Sequence, residues 1–156
     1  MSTFVLIHGA GDVGWYWHLV EAELRAHGHG VAAPDLPAGD ESLGLNGYAD
    51  TVVEAIGDRK DLVVVGQSFG AFTAPLVADR LPTGVLVLVA GMIPSPGEPP
   101  GDWRENTGYA SAVQELNIVP DEIATGECVA LSHPKELADL LEGYAAGAGT
   151  GQSALQ

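Results

Sequence analysis

LVVVGQSFGAF, residues 62–72, joins a run of β-branched and apolar residues to a helical pattern through Gly-Gln-Ser-Phe-Gly. A continuous apolar run of this length suits a strand buried on both faces. A serine between two glycines at its end has two readings. One is an ordinary glycine-rich strand-to-helix turn. The other is a nucleophile elbow, in which Ser68 takes a strained backbone that holds its hydroxyl clear of the sheet. The spacing of Gly66 and Gly70 suits the second reading, because side chains there would collide where the strand folds back into the helix. The helix N-terminus beneath Ser68 favours developing negative charge.

Outward from this stretch, the pattern repeats. Residues 4–7 (FVLI) read as a short buried strand ended by HGAGDVG. Residues 15–27 follow with helical spacing, since Trp15, Leu19, Ala22 and Ala26 share a face. A strand around 31–33, a glycine-rich loop over 38–47 and a helix over 48–56 come next. A strand over 62–65, a helix over 69–81 and a strand over 85–90 complete the series. Strands alternating with helices predict an α/β fold with a doubly wound, mostly parallel sheet.

After Gly91 the character changes. Pro94, Pro96, Pro99 and Pro100 mark a loop. Weak helical signal covers 109–116, and a short strand is expected over 118–123. Ser132 is expected to cap a last helix with Pro134 in its first turn and Leu137, Leu140 and Leu141 on its apolar side. Residues 1–146 therefore read as one domain, followed by a small-residue tail, 147–156, that is expected to move freely.

Composition narrows the function. Apolar residues make up 46% of the 156 and charged residues 17%, which fits a well-buried fold. Acidic residues outnumber basic ones 21 to 6, a formal net charge of −15. That balance repels a phosphate backbone and an anionic bilayer, so neither nucleic acid nor a membrane is an expected partner. With no basic segment leading into a signal-type apolar stretch, the expected location is the cytoplasm. The lone cysteine, Cys128, excludes an internal disulfide and a cysteine-based metal cluster. Histidines and carboxylates are scattered along the chain, and no metal site or other cofactor is expected.

LIHGAG, at the end of the first strand, is placed to supply a backbone N–H to a second side of the Ser68 site. The donors would be Ala10 and Phe69, two main-chain groups forming an oxyanion hole. His8 itself is expected to pack under that loop with a structural hydrogen bond. Trp15, Tyr16 and Trp17 suggest an apolar pocket, with His18 as part of its aromatic wall.

FVLIHGAGDVGWYW, HGHGVAAPDLPAG, LVVVGQSFGAF and VLVLVAGMIPSPGE occur in that order, and together they resemble the α/β-hydrolase superfamily. The likeness is to small esterases of the plant methylesterase and hydroxynitrile-lyase type. It covers about the first two-thirds of the chain. The resemblance implies a Ser, Asp, His triad in chain order, with the histidine in a turn before the last helix. The sequence departs from that pattern. Glu127 stands where the histidine is expected, and His133 lies six positions further on. Between Ser95 and Asn117 there is too little chain for both a cap and an acid-bearing strand, as though both had been cut out.

Two function classes follow. The first is a serine hydrolase acting on small carboxylic esters through Ser68, weak because the usual histidine and aspartate are displaced; lyase chemistry is a variant of it. His133 is its catalytic candidate beside Ser68, with Glu127 or a residue of a second subunit as the other sources of a base. The second class is a non-catalytic remnant that binds a small ligand or a partner protein. A shortened sheet would also leave a strand edge uncovered, which predicts a homodimer.

Overall fold

A computed structural model describes residues 1–93, 121–125 and 128–149. Among these residues, four strands form one parallel sheet: β1 (Thr3–Ile7), β2 (Gly30–Ala32), β3 (Leu62–Gln67) and β4 (Thr83–Val89), in the order β2-β1-β3-β4. The helices are α1 (His18–Ala26), α2 (Leu45–Ile56), α3 (Gly70–Arg80), the short α4 (Val129–Ser132) and α5 (Pro134–Gly149). A single 3-10 turn, Gly14–Trp17, leads into α1.

Alternation along the strands sends side chains to two cores. Phe4 and Leu6 of β1 and Val63 and Val65 of β3 face one way. There they meet Trp17, Val20 and Leu24 at the start and along α1, and Leu137, Ala138 and Leu141 of α5. Val5, Ile7 and Val64 face the other way, against Val52 and Ile56 of α2 and Ala74 and Val77 of α3. Burial on both faces is why β1 and β3 read as unbroken apolar runs rather than alternating ones. Leu141 is wholly buried on the α5 face, so truncation to Ala would cost about 2–5 kcal/mol.

Several boundaries differ from expectation. Ser132 does not cap the last helix. It ends α4, where its Oγ donates to the Cys128 carbonyl (3.1 Å), a back-bond to the preceding turn available to serine inside a helix. α5 then begins at Pro134 and continues through Gly149, into the stretch assigned to the tail; residues 150–156 lie outside the described residues. The expected helix over 109–116 and the proline loop also lie outside them. Of the strand expected over 118–123, only 121–123 are described, and they are not in a strand.

β1 lies between β2 and β3, so the chain moves one way from β1 to reach β2 and the other way to reach β3. The carboxyl ends of β1 and β3 thus flank the point where the winding reverses, the place where open α/β sheets bind ligands. Among the described residues β4 is the outer strand on its side. No helix among the described residues is long and apolar enough to cross a membrane.

Candidate active site

The loops that leave the reversal point carry HGAG and QSFG. Ile7 of β1 pairs in register with Gly66 of β3, which brings the two strand ends side by side. Ser68 follows β3 directly, and its φ is +50°, in the left-handed region. For a non-glycine residue that conformation costs roughly 1–2 kcal/mol, and it persists only where the surroundings hold it. Three backbone bonds do so here. The Ser68 N–H donates to the Val89 carbonyl (3.0 Å), and the Ser68 carbonyl accepts from Ala71 (3.1 Å) and Met92 (3.3 Å).

The flanking glycines are required by close approach. A Cβ at Gly66 would stand 2.8 Å from both Ala74 Cβ and the Gly70 carbonyl oxygen. One at Gly70 would stand 2.6 Å from the carbonyl oxygens of Ile7 and His8. So α3 starts directly against the ends of β1 and β3, with Ser68 at its N-terminal side. No hydrogen bond to the Ser68 hydroxyl occurs among the described residues.

On the other side, Gly9 packs against Ser68 and the buried Gln67 side chain. The N–H groups of Ala10 and Phe69 have no acceptor among the described residues. His8 beneath them is buried and fully engaged. Its Nε2 accepts the Leu36 N–H (3.0 Å), so its Nδ1 carries the proton and donates to the Gly9 carbonyl (2.8 Å). With both ring nitrogens occupied, His8 shapes the loop and has no lone pair to offer a substrate. Asp35 is likewise structural, accepting the Gly14 N–H at 2.7 Å.

The aromatic cluster divides. Trp15 is 66% exposed, whereas Tyr16 and Trp17 are buried. The tight 3-10 turn rotates Trp15 outward while its two neighbours enter the core, so the three rings do not line one pocket. His18 does stay with Trp15: the rings stack at 4.0 Å and 14°, and His18 Nδ1 donates to the Trp15 carbonyl (2.8 Å). Burial pushes the Tyr16 phenol above its ordinary value, with the Ala130 backbone acting in the opposite direction.

His133 sits at the junction of α4 and α5, half-buried. Its Nδ1 lies 3.0 Å from Ser132 Oγ. With the Ser132 proton on the Cys128 carbonyl, Ser132 accepts from His133 Nδ1, and Nε2 of His133 then carries a lone pair with no partner among the described residues. Thr125 Oγ1 lies 2.7 Å from the same Ser132 oxygen. No hydrogen bond joins His133 to Ser68 among the described residues. Glu127 lies outside the described residues.

Sequence spacing concealed one further cluster. His27 lies more than a hundred positions before Asp139 and Glu142, yet the ligand atoms of the three lie within 4.8 Å of one another.

The family model described as "Alpha/beta hydrolase family" matches residues 4–148. Methylesterase 7 of Arabidopsis thaliana is 36% identical over 112 residues, which cover 64% of this chain and 43% of the relative. Esterase PIR7B of Oryza sativa subsp. japonica is 30% identical over 146 residues, covering 83% of this chain and 54% of its own. The chain thus spans about half the length of these curated relatives. Among solved structures, polyneuridine aldehyde esterase superposes with a TM-score of 0.59 at 23% identity, covering 90% of this chain and 67% of that one, a likeness of fold.

Proposed function

Because the chain belongs to the alpha/beta hydrolase family, we propose that it hydrolyses small carboxylic esters through Ser68. The observation that carries this reading is the strained backbone of Ser68, φ +50°, at the mouth of β1 and β3 with Gly9 packed beside it. Asp61 and Ala90 also have a positive φ, so the strain supports this reading through its place: a serine between Gly66 and Gly70, where β3 turns into α3.

In the proposed reaction Ser68 Oγ adds to the ester carbonyl carbon as a base takes its proton. The carbonyl oxygen becomes an oxyanion held by the N–H groups of Ala10 and Phe69. Collapse expels the alcohol, which leaves with the proton, and forms an acyl-serine. Water then adds to the acyl carbon, and the acid departs as the serine recovers its proton. His133 is the proposed base, through the Nε2 lone pair that its bond to Ser132 leaves free. The names of the relatives, methylesterase and esterase, support esters as the substrate class.

Release of p-nitrophenol from short-chain esters tests the reading. Ser68→Ala should abolish it, and His133→Ala should lower it by roughly 10²–10⁴-fold, the usual contribution of a positioned base. Equal rates for the native chain and Ser68→Ala would reject it. Glu127→His on the same substrate reports whether the base acts from position 127 instead.

The absence of any Ser68–histidine hydrogen bond among the described residues favours a second reading, a non-catalytic ligand- or partner-binding remnant. Both readings include a homodimer that covers the outer edge of β4. Sedimentation showing only monomer at micromolar concentration would reject that association.

A further inference from the structure

His27 and His29 flank Gly28 in the turn after α1, and Asp139 and Glu142 stand one turn apart on α5. Packing of α1 against α5 through Leu24, Leu137 and Leu141 brings the two pairs together. His27 Nδ1 lies 2.7 Å from Glu142 Oε1, and the Asp139 carboxylate completes a group whose ligand atoms all lie within 4.8 Å of each other. Neighbouring ligands of a tetrahedral Zn²⁺ site, at about 2.0–2.1 Å from the metal, stand roughly 3.3 Å apart. Each of these side chains therefore needs to move by only about 1 Å to enclose an ion.

We propose that His27, Asp139 and Glu142 form a divalent-metal site that clamps α5 to the end of α1. An imidazole with two carboxylates suits Zn²⁺ and its first-row neighbours, with water in the open position. In the ion-free structure Glu142 Oε1 accepts from His27 Nδ1; the ion would take that proton's place on Nδ1, with the ring proton carried on Nε2. Two other groups face the site. Lys135 pairs with Asp139 at 3.2 Å, and its mostly exposed ammonium is displaced to solvent by the incoming dication. His29 accepts the Ser2 N–H on Nδ1 (3.2 Å), so its Nε2 carries the proton and faces Glu142 Oε1 at 3.6 Å. His29 thus holds Glu142 in place from the second side and is not counted among the ligands.

The site is remote from the ester chemistry. His29 precedes Gly30, which opens β2 beside Thr3, the first residue of β1. Ser68 follows the last residue of β3. In a parallel sheet these are opposite ends, so the metal's role is to fasten the fold.

Isothermal titration of the full chain with Zn²⁺ tests the proposal, alongside thermal melting with the metal in roughly a hundredfold excess over Kd. The expected result is one ion per chain and a raised melting temperature. His27→Ala and Glu142→Gln should each weaken binding at least about tenfold and remove the melting shift. These side chains are exposed or half-buried, and circular dichroism checks that the variants remain folded. Ser68→Ala should bind Zn²⁺ as the native chain does, whatever its effect on ester hydrolysis, and Asp79→Asn, a carboxylate on α3, should do the same. No heat of binding, or binding that survives both His27→Ala and Glu142→Gln unchanged, would overturn the site.

Discussion

Gly9 and Ser68 are packed against each other: a Cβ built on Gly9 would stand 3.2 Å from Ser68 Cβ and 2.5 Å from Gln67 Oε1. The loop after β1 therefore lies against the serine with no room for a side chain between them. Gly9→Ala should push the loop or Gln67 aside and misplace the Ala10 N–H. Since displacement of about 1 Å can cost on the order of 10²-fold in rate, ester hydrolysis should fall by at least roughly tenfold. Far-ultraviolet dichroism should remain native, because the overpacking costs only about 1–3 kcal/mol. A Gly9→Ala chain as active as the native one would show that the loop takes no part.

The strain at Ser68 gives a second expected outcome. Glycine adopts φ +50° freely, so Ser68→Gly should relieve the backbone and raise stability by about 0.5–1 kcal/mol, while Ser68→Ala should not. For a chain of this length 1 kcal/mol corresponds to roughly 2–4 °C in melting temperature. Both variants lack the hydroxyl and should be inactive. A melting temperature for Ser68→Gly at or below that of Ser68→Ala would mean that the serine is unstrained.

Alkaline stability reports the docking of α5. Tyr144 donates to Asp121, and burial, followed by that bond and the Asp121 charge, raises its phenol to about 12 from an ordinary 10.0. A group with a raised pKa in the folded chain contributes stability that is fully present below its unfolded value. That contribution is lost as the pH climbs through its folded value. Urea midpoints should therefore fall between pH 10 and about 12 in the native chain, and less steeply in Tyr144→Phe. Parallel curves for the two would show that neither burial nor the Asp121 bond holds the Tyr144 phenol protonated in the folded chain.

How far the sequence could be read depended on the range of the interactions involved. β1 and β3 were legible because burial on both faces leaves an unbroken apolar run, and the elbow because Gly66, Ser68 and Gly70 record a local close approach. α5 was legible from Leu137 and Leu141, but not its start, because Ser132 bonds back to Cys128 instead of capping. Trp15, Tyr16 and Trp17 read as one cluster, yet a single 3-10 turn sends the first outward and the other two into the core. The grouping of His27 with Glu142 left no local trace. It depends on two helices meeting across 115 positions of chain.

Whether Ser68 is an activated nucleophile is measured most directly by its reaction with a fluorophosphonate, followed by intact mass and peptide mapping. The predicted result is one phosphonyl group per chain, located on Ser68 and missing from Ser68→Ala, with Ser132 unlabelled. A native chain that stays unmodified under conditions that label an ordinary serine esterase, or that is modified elsewhere, would contradict the account.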